Sequence, residues 1–173
     1  PSREVVRQVL EDRADVGFVV GNVEEPELVC KKAFSDVIHL VAAKDYRVKD
    51  QITIEALEKH PLIMLNENFR SYRRMLDQIK NLGYDIEDFQ VLYHLDSTES
   101  VKASVIGKYG MAFLPHMAVK KELYLKQLKI IEADNLHLVY DVSMIYKTKE
   151  TSSSDLIRNV TKYFERIVNS SIC

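Results

Sequence analysis

In the stretch REVVRQVLEDRAD, Val5, Val6, Val9 and Leu10 recur at i, i+1, i+4 and i+5, the spacing that gathers apolar side chains on one helical face. A helix of about ten residues is therefore predicted to follow Ser2. The period then gives way to DVGFVVG, Asp15 to Gly21, a nearly continuous apolar run that suits a strand covered on both faces. DVIHLVAA, Asp36 to Ala43, predicts a second strand, Thr53 caps a short helix IEALEKH, and PLIML returns as a strand. NENFRSYRRMLDQIKNLGY sets Tyr72, Met75, Leu76, Ile79 and Leu82 along one helical face, with Gly83 in the left-handed position that ends helices and Asn66 and Asn68 as candidate N-caps. FQVLYHL and LHLVYDVSMIY read as further strands, and SSSDLIRNVTKYFERIV as a closing helix with Leu156, Val160, Phe164 and Ile167 facing inward. Helices alternating with strands predict an α/β chain with a mostly parallel sheet.

The stretch DSTESVKASVIGKYGMAFLP concentrates the candidate chemistry. Asp96 and Glu99 stand at capping-box spacing, Ser97 and Thr98 add hydroxyls, and the helix they open follows directly on the strand VLYHL. A helix that starts at the carboxyl end of a strand in an open α/β sheet points free N–H groups and its positive dipole end outward, where a carboxylate or other anion can bind. The plainer reading is that such residues only satisfy the orphan N–H groups of the first turn. Asn66, Asn68 and Phe69 lie at a second strand-to-helix turn and carry the same two readings. Val101 and Val105 share the inner face, Gly107 and Gly110 let the chain turn tightly, and MAFLP re-enters the core as a strand stopped by Pro115. Arg70, Arg73 and Arg74 could attract an anion or form a solvated face.

Composition narrows the function. The 173 residues are 46% hydrophobic, enough for a sizeable core, and a net charge of −2 from interspersed charges leaves no basic stripe for nucleic acid. No apolar run approaches the roughly 18 residues of a membrane span, so no membrane partner is expected, and PSREVVRQVL lacks the apolar core of a signal peptide. Cys30 and Cys173 have no disulfide framework around them and read as reduced thiols of a cytoplasmic protein. The five histidines never fall at i, i+2 or i, i+4, so neither a metal nor another cofactor is expected. No nucleophile and base pair or phosphate loop stands out, and catalysis is not expected. A start at Pro1 suggests an incomplete chain.

Taken in order, these segments resemble the effector-binding domain of LysR-type transcriptional regulators. LEDRADVGFVVG is similar to the family's helix end, aspartate and apolar strand, DVIHLVAAKDY to the strand leaving the first lobe, and IEALEKHPLIML to its short helix and proline-led strand. ESVKASVIGKYGMAFLP resembles its most recognisable element, with Gly107, Gly110 and Pro115 in the expected places and Lys108 and Tyr109 replacing the usual small or apolar neighbours. The resemblance implies the type II periplasmic-binding-protein-like fold: two three-layer α/β/α lobes joined by two crossover segments, with a small-molecule cleft between them. Residues 1–43 with 137–173 would form the first lobe and 44–136 the second. Carried over by position, Ser2, Asn66, Asn68, Phe69, Ser97 and Thr98 are the implied effector contacts. The implied partners are a small-molecule effector, such as a small organic acid or other metabolite, and further copies of the chain in a homodimer or tetramer.

The resemblance also implies what is missing. DNA would be read through an N-terminal winged helix-turn-helix that this sequence lacks, and the first lobe's first strand, first helix and second strand, with one wall of the cleft, are expected to be absent too. Two other functions use the same scaffold: a solute-binding protein for transport, and an enzyme such as a dehydratase.

Overall fold

The computed structural model describes residues 2–133, 136–148 and 154–169, without the side chains of 70, 71, 154, 156, 165 and 167–169. Cys173 and the expected inward positions of Leu156 and Ile167 lie outside that description. The chain divides into two compact units, residues 1–35 with 140–173 and residues 36–139.

In the first unit, α1 (Ser2–Leu10) packs on β1 (Gly17–Val20), which pairs antiparallel with β8 (Leu138–Lys147) from Gly17↔Ile145 to Val20↔Val142. The apolar stripe read from the sequence is the cause: Val9, Val19, Leu28 and Ile145 form the buried centre, with Val5, Val6 and Leu10 against them. Gly17 is where helix and strand meet, since a Cβ there would lie 2.5 Å from Val5 Cγ1. Phe164 of α6 (Ser154–Asn169) sits over Phe18 of β1, ring centroids 4.3 Å apart, and stacks on Phe34 at 6.1 Å.

The second unit begins inside β2 (Leu28–Ala43) and ends inside β8. Between them run β3 (Gln51–Ile52), α2 (Ile54–Leu57), β4 (Leu62–Leu65), α3 (Arg70–Asn81), β5 (Val91–Leu95), α4 (Thr98–Ile106), β6 (Ala112–Pro115), α5 (His116–Tyr124) and β7 (Leu128–Ala133). Thr53 caps α2 as expected, its Oγ1 accepting from Ala56 N at 3.2 Å, and Gly83 ends α3 at φ +90°. All four residues of β4 are buried, and Val101 and Val105 of α4 have no exposed surface.

Several expectations need correction. The sheet is mixed: β2 runs antiparallel to β6 and β7, whereas β3 with β7 and β4 with β5 pair in parallel. Strand β2 starts at Leu28 rather than Asp36, because LVCKKAFS interrupts its apolar positions with lysines and shows no clean period. Elements α5 and β7 left no sequence signal, Val119 being the sole buried residue of HMAVKKELY. The left-handed residue after α4 is Lys108 at φ 67°, not Gly107, which ends the helix in right-handed geometry.

Candidate functional site

Strands β4 and β5 are parallel neighbours whose last residues, Leu65 and Leu95, are in register, so the turns that follow them emerge side by side. A hydrogen bond from Asn66 N to Leu95 O, 2.9 Å, ties one turn to the end of the other strand. Asn66 is thus held at the end of β5, and the turn that begins with it and the turn that carries Ser97 and Thr98, some thirty residues apart in the chain, both follow the carboxyl ends of this strand pair. Ser2 belongs to the first unit, half-buried at the start of α1, where its Oγ accepts from Val20 N at 3.4 Å.

The first turn is built by asparagine chemistry. Asn66 Oδ1 accepts from Asn68 N at 3.1 Å, an Asx turn that satisfies the backbone two residues on. Phe69 N donates to Asn66 O at 3.2 Å, and Arg73 Nε donates to Glu67 O at 2.8 Å, closing the loop onto the helix. Neither asparagine is therefore the N-cap of α3. That position falls to Phe69, whose side chain makes no capping bond.

The second turn is capped one residue later than the Asp96 and Glu99 spacing suggested. Ser97 has the extended backbone of an N-cap, φ −142° and ψ 131°, and its Oγ accepts from Ser100 N at 3.3 Å. Thr98 opens α4 and has no capping duty. Replacing Ser97 by alanine should lower stability by about 1 kcal/mol, read from urea denaturation, while replacing it by aspartate, another good cap, should keep most of it. Equal loss in both variants would remove the cap as the cause.

Beneath the first turn, Tyr72 of α3 is buried and its hydroxyl meets His94 Nε2 of β5 at 3.1 Å, ring edge to face. Burial, helped by the negative charge of Glu67, holds the Tyr72 phenol above its usual pKa, so the hydroxyl stays protonated, and the His94 tautomer sets which partner donates. Tyr72 also lines a crevice of about 10 Å³ with Ile38, Met64, Leu65, Met75, Phe113 and Pro115, room for one water molecule. The helical period sets Tyr72 on a core face but gives no sign of His94. Their pairing spans two elements and has no local signal. Among the described residues no group of three or more His, Cys, Asp or Glu could hold a metal, and no helix is long and apolar enough to cross a membrane.

The model of the LysR substrate binding domain matches residues 1–164, and the chain belongs to that family. It is 26% identical over 152 residues to the Probable RuBisCO transcriptional regulator of Trieres chinensis, covering 83% of this chain and 49% of the relative. It is 23% identical over 147 residues to the HTH-type transcriptional regulator CysL of Bacillus subtilis, covering 84% and 48%. The chain thus spans about half the length of the curated relatives it matches. Among solved structures, the Synechocystis CcmR regulatory domain in complex with 2-PG aligns at TM-score 0.76 and 17% identity, covering 95% of this chain and 78% of that one. An OxyR variant of Corynebacterium glutamicum aligns at TM-score 0.79 and 13% identity, covering 99% and 53%. The fold is the two-lobed periplasmic-binding-protein-like α/β fold that the sequence resemblance implied.

Proposed function

We propose that this chain is the small-molecule-sensing domain of a LysR-type transcriptional regulator, and that Asn66, Asn68, Phe69, Ser97 and Thr98 contact the effector. The observation that carries this reading is the pairing of two strand-to-helix turns at the ends of neighbouring parallel strands, each opening a helix toward the same edge. Two helix starts there favour a molecule carrying a carboxylate or phosphate, a small organic acid or similar metabolite. The CcmR neighbour is a complex with 2-PG, which supports that class. Ser2 is carried in the proposal on the family resemblance alone.

The regulators among the chain's relatives favour sensing over transport or catalysis. In this proposal the effector acts in the cytoplasm by binding one arrangement of the domain better than another, a difference typically of about 1–3 kcal/mol. The response passes through a homodimer or tetramer to DNA-binding segments outside this sequence.

The test is thermal-shift screening of small acids, beginning with 2-PG, on the wild-type chain and the Thr98→Ala variant. A ligand at a hundred times its Kd should stabilise the wild type by about 2.7 kcal/mol. Thr98→Ala should lose most of that gain while keeping the unliganded melting temperature. Stabilisation that survives intact in both Thr98→Ala and Asn68→Ala would place the effector elsewhere.

A further inference from the structure

Strand β2 pairs with β7 only from Ala43↔Leu128 to Leu40↔Ile131. Beyond that pair β7 continues to Ala133 with β3 as its partner, and Glu132 N donates to Asp50 O at 2.8 Å rather than across to β2. The two strands part there, and the gap is a cavity of about 570 Å³ lined from β2 by Val37, Ile38, His39 and Leu40, and closed in part by Leu136 and His137. Its described lining residues all belong to the second unit.

That volume lies within the range of small-molecule pockets, about 300–1,000 Å³, and its walls are mostly aliphatic or aromatic. Three exposed large apolar residues, Val37, Ile130 and Val139, also line it, so part of its wall is apolar surface left to water. Side chains facing a space of this size forgo dispersion contacts that an apolar occupant would restore.

The polar groups limit what fits. His39 Nε2 lies 3.1 Å from His116 Nδ1, which leaves His39 Nδ1 as the ring nitrogen able to meet another partner. Burial, reinforced by His116, holds the His39 imidazole below its usual pKa, with Asp36 opposing, so the ring is uncharged at neutral pH. Among the described residues of the wall the one carboxylate is Glu132, which accepts from Gln51 Nε2 at 2.9 Å. We propose that this cavity is a second small-molecule site, separate from the two strand-to-helix turns, that takes an uncharged, largely apolar molecule of one or two aromatic rings held by a hydrogen bond to an imidazole.

The probe is indole, uncharged and apolar with one N–H donor, titrated into the whole chain and followed by two-dimensional ¹H–¹⁵N spectra. Saturable shifts confined to residues 37–40, 130–133 and 136–139 are expected. Ala133→Phe, which fills the cavity, should weaken binding by roughly tenfold or more, and Thr98→Ala should leave it unchanged. If Ala133→Phe does not fold, Leu136→Phe provides the same reading from the other wall. Shifts that never saturate, shifts centred on 66–69 and 97–98, or unweakened binding in a folded cavity-filling variant would each overturn the proposal.

Discussion

Gly110→Ala is expected to destabilise the chain by about 3 kcal/mol or more, a large effect for a single methyl group. A Cβ on Gly110 would lie 2.4 Å from Pro61 O and 3.0 Å from Pro61 C, and both atoms are backbone, so no rotamer change relieves the contact. The same two segments are joined by Met111 N donating to Pro61 O at 2.9 Å and Ile63 N donating to Met111 O at 2.8 Å. Separating them to admit the methyl would stretch both bonds and pull the start of β6 from β4, the strand whose end carries Asn66. The methyl should therefore reduce effector-induced stabilisation as well as the urea midpoint. A Gly110→Ala chain within 1 kcal/mol of wild type would show that the approach of these segments can relax.

Lys102→Ala is expected to cost about 3 kcal/mol, through the charge it leaves behind rather than the contact it removes. Lys102 Nζ bonds Glu99 Oε1 and Glu122 Oε1, each at 2.9 Å, and so ties α4, which begins at the proposed effector turn, to α5. The Lys102 and Glu122 side chains are only 10% and 12% exposed, and Glu122 Oε2 is buried without a hydrogen-bond partner among the described residues. Without Lys102, a carboxylate that already lacks one partner would lose its hydrogen-bonded cation and keep only the more distant charge of Lys121. Lys102→Met with Glu122→Leu should recover most of the loss, because an apolar pair of similar volume removes both buried charges together. A single-variant cost under about 1 kcal/mol would class the pair with ordinary surface ion pairs.

The same pair predicts a pH dependence. Burial pushes the Glu122 carboxyl up, but hydrogen bonds from Lys102 and the backbone, with the charges of Lys102 and Lys121, bring it below its ordinary value. Its folded-state pKa is thus depressed relative to the unfolded chain. The stability it contributes is present above the unfolded value and is lost as pH falls through the folded value. The double variant should accordingly lose less stability on acidification than wild type, measured by urea denaturation across the carboxylate range.

Local periodicity made much of the second unit legible. Met75 and Ile79 on one face of α3, Val101 and Val105 on one face of α4, and the unbroken LIML of β4 were marked by spacing and are buried. Where polar residues interrupt that spacing, as in the first half of β2 and in α5, the elements were illegible although they form. The cap positions were legible only approximately: Ser97 displaced Asp96, and Phe69 displaced both asparagines, because the N-cap is set by which residue adopts extended backbone, not by side-chain type alone.

By itself the sequence determined the alternation of elements, their inward faces, and a family pattern spread across nearly the whole chain, all of which follow from residues within a few positions of one another. Tertiary structure alone decided that Asn66 lies beside Leu95, that Tyr72 meets His94, that Lys102 is buried between two glutamates, and that β2 and β7 part around a cavity. Each of these joins separate elements through strand pairing and packing, and such contacts leave no repeat in the order of residues.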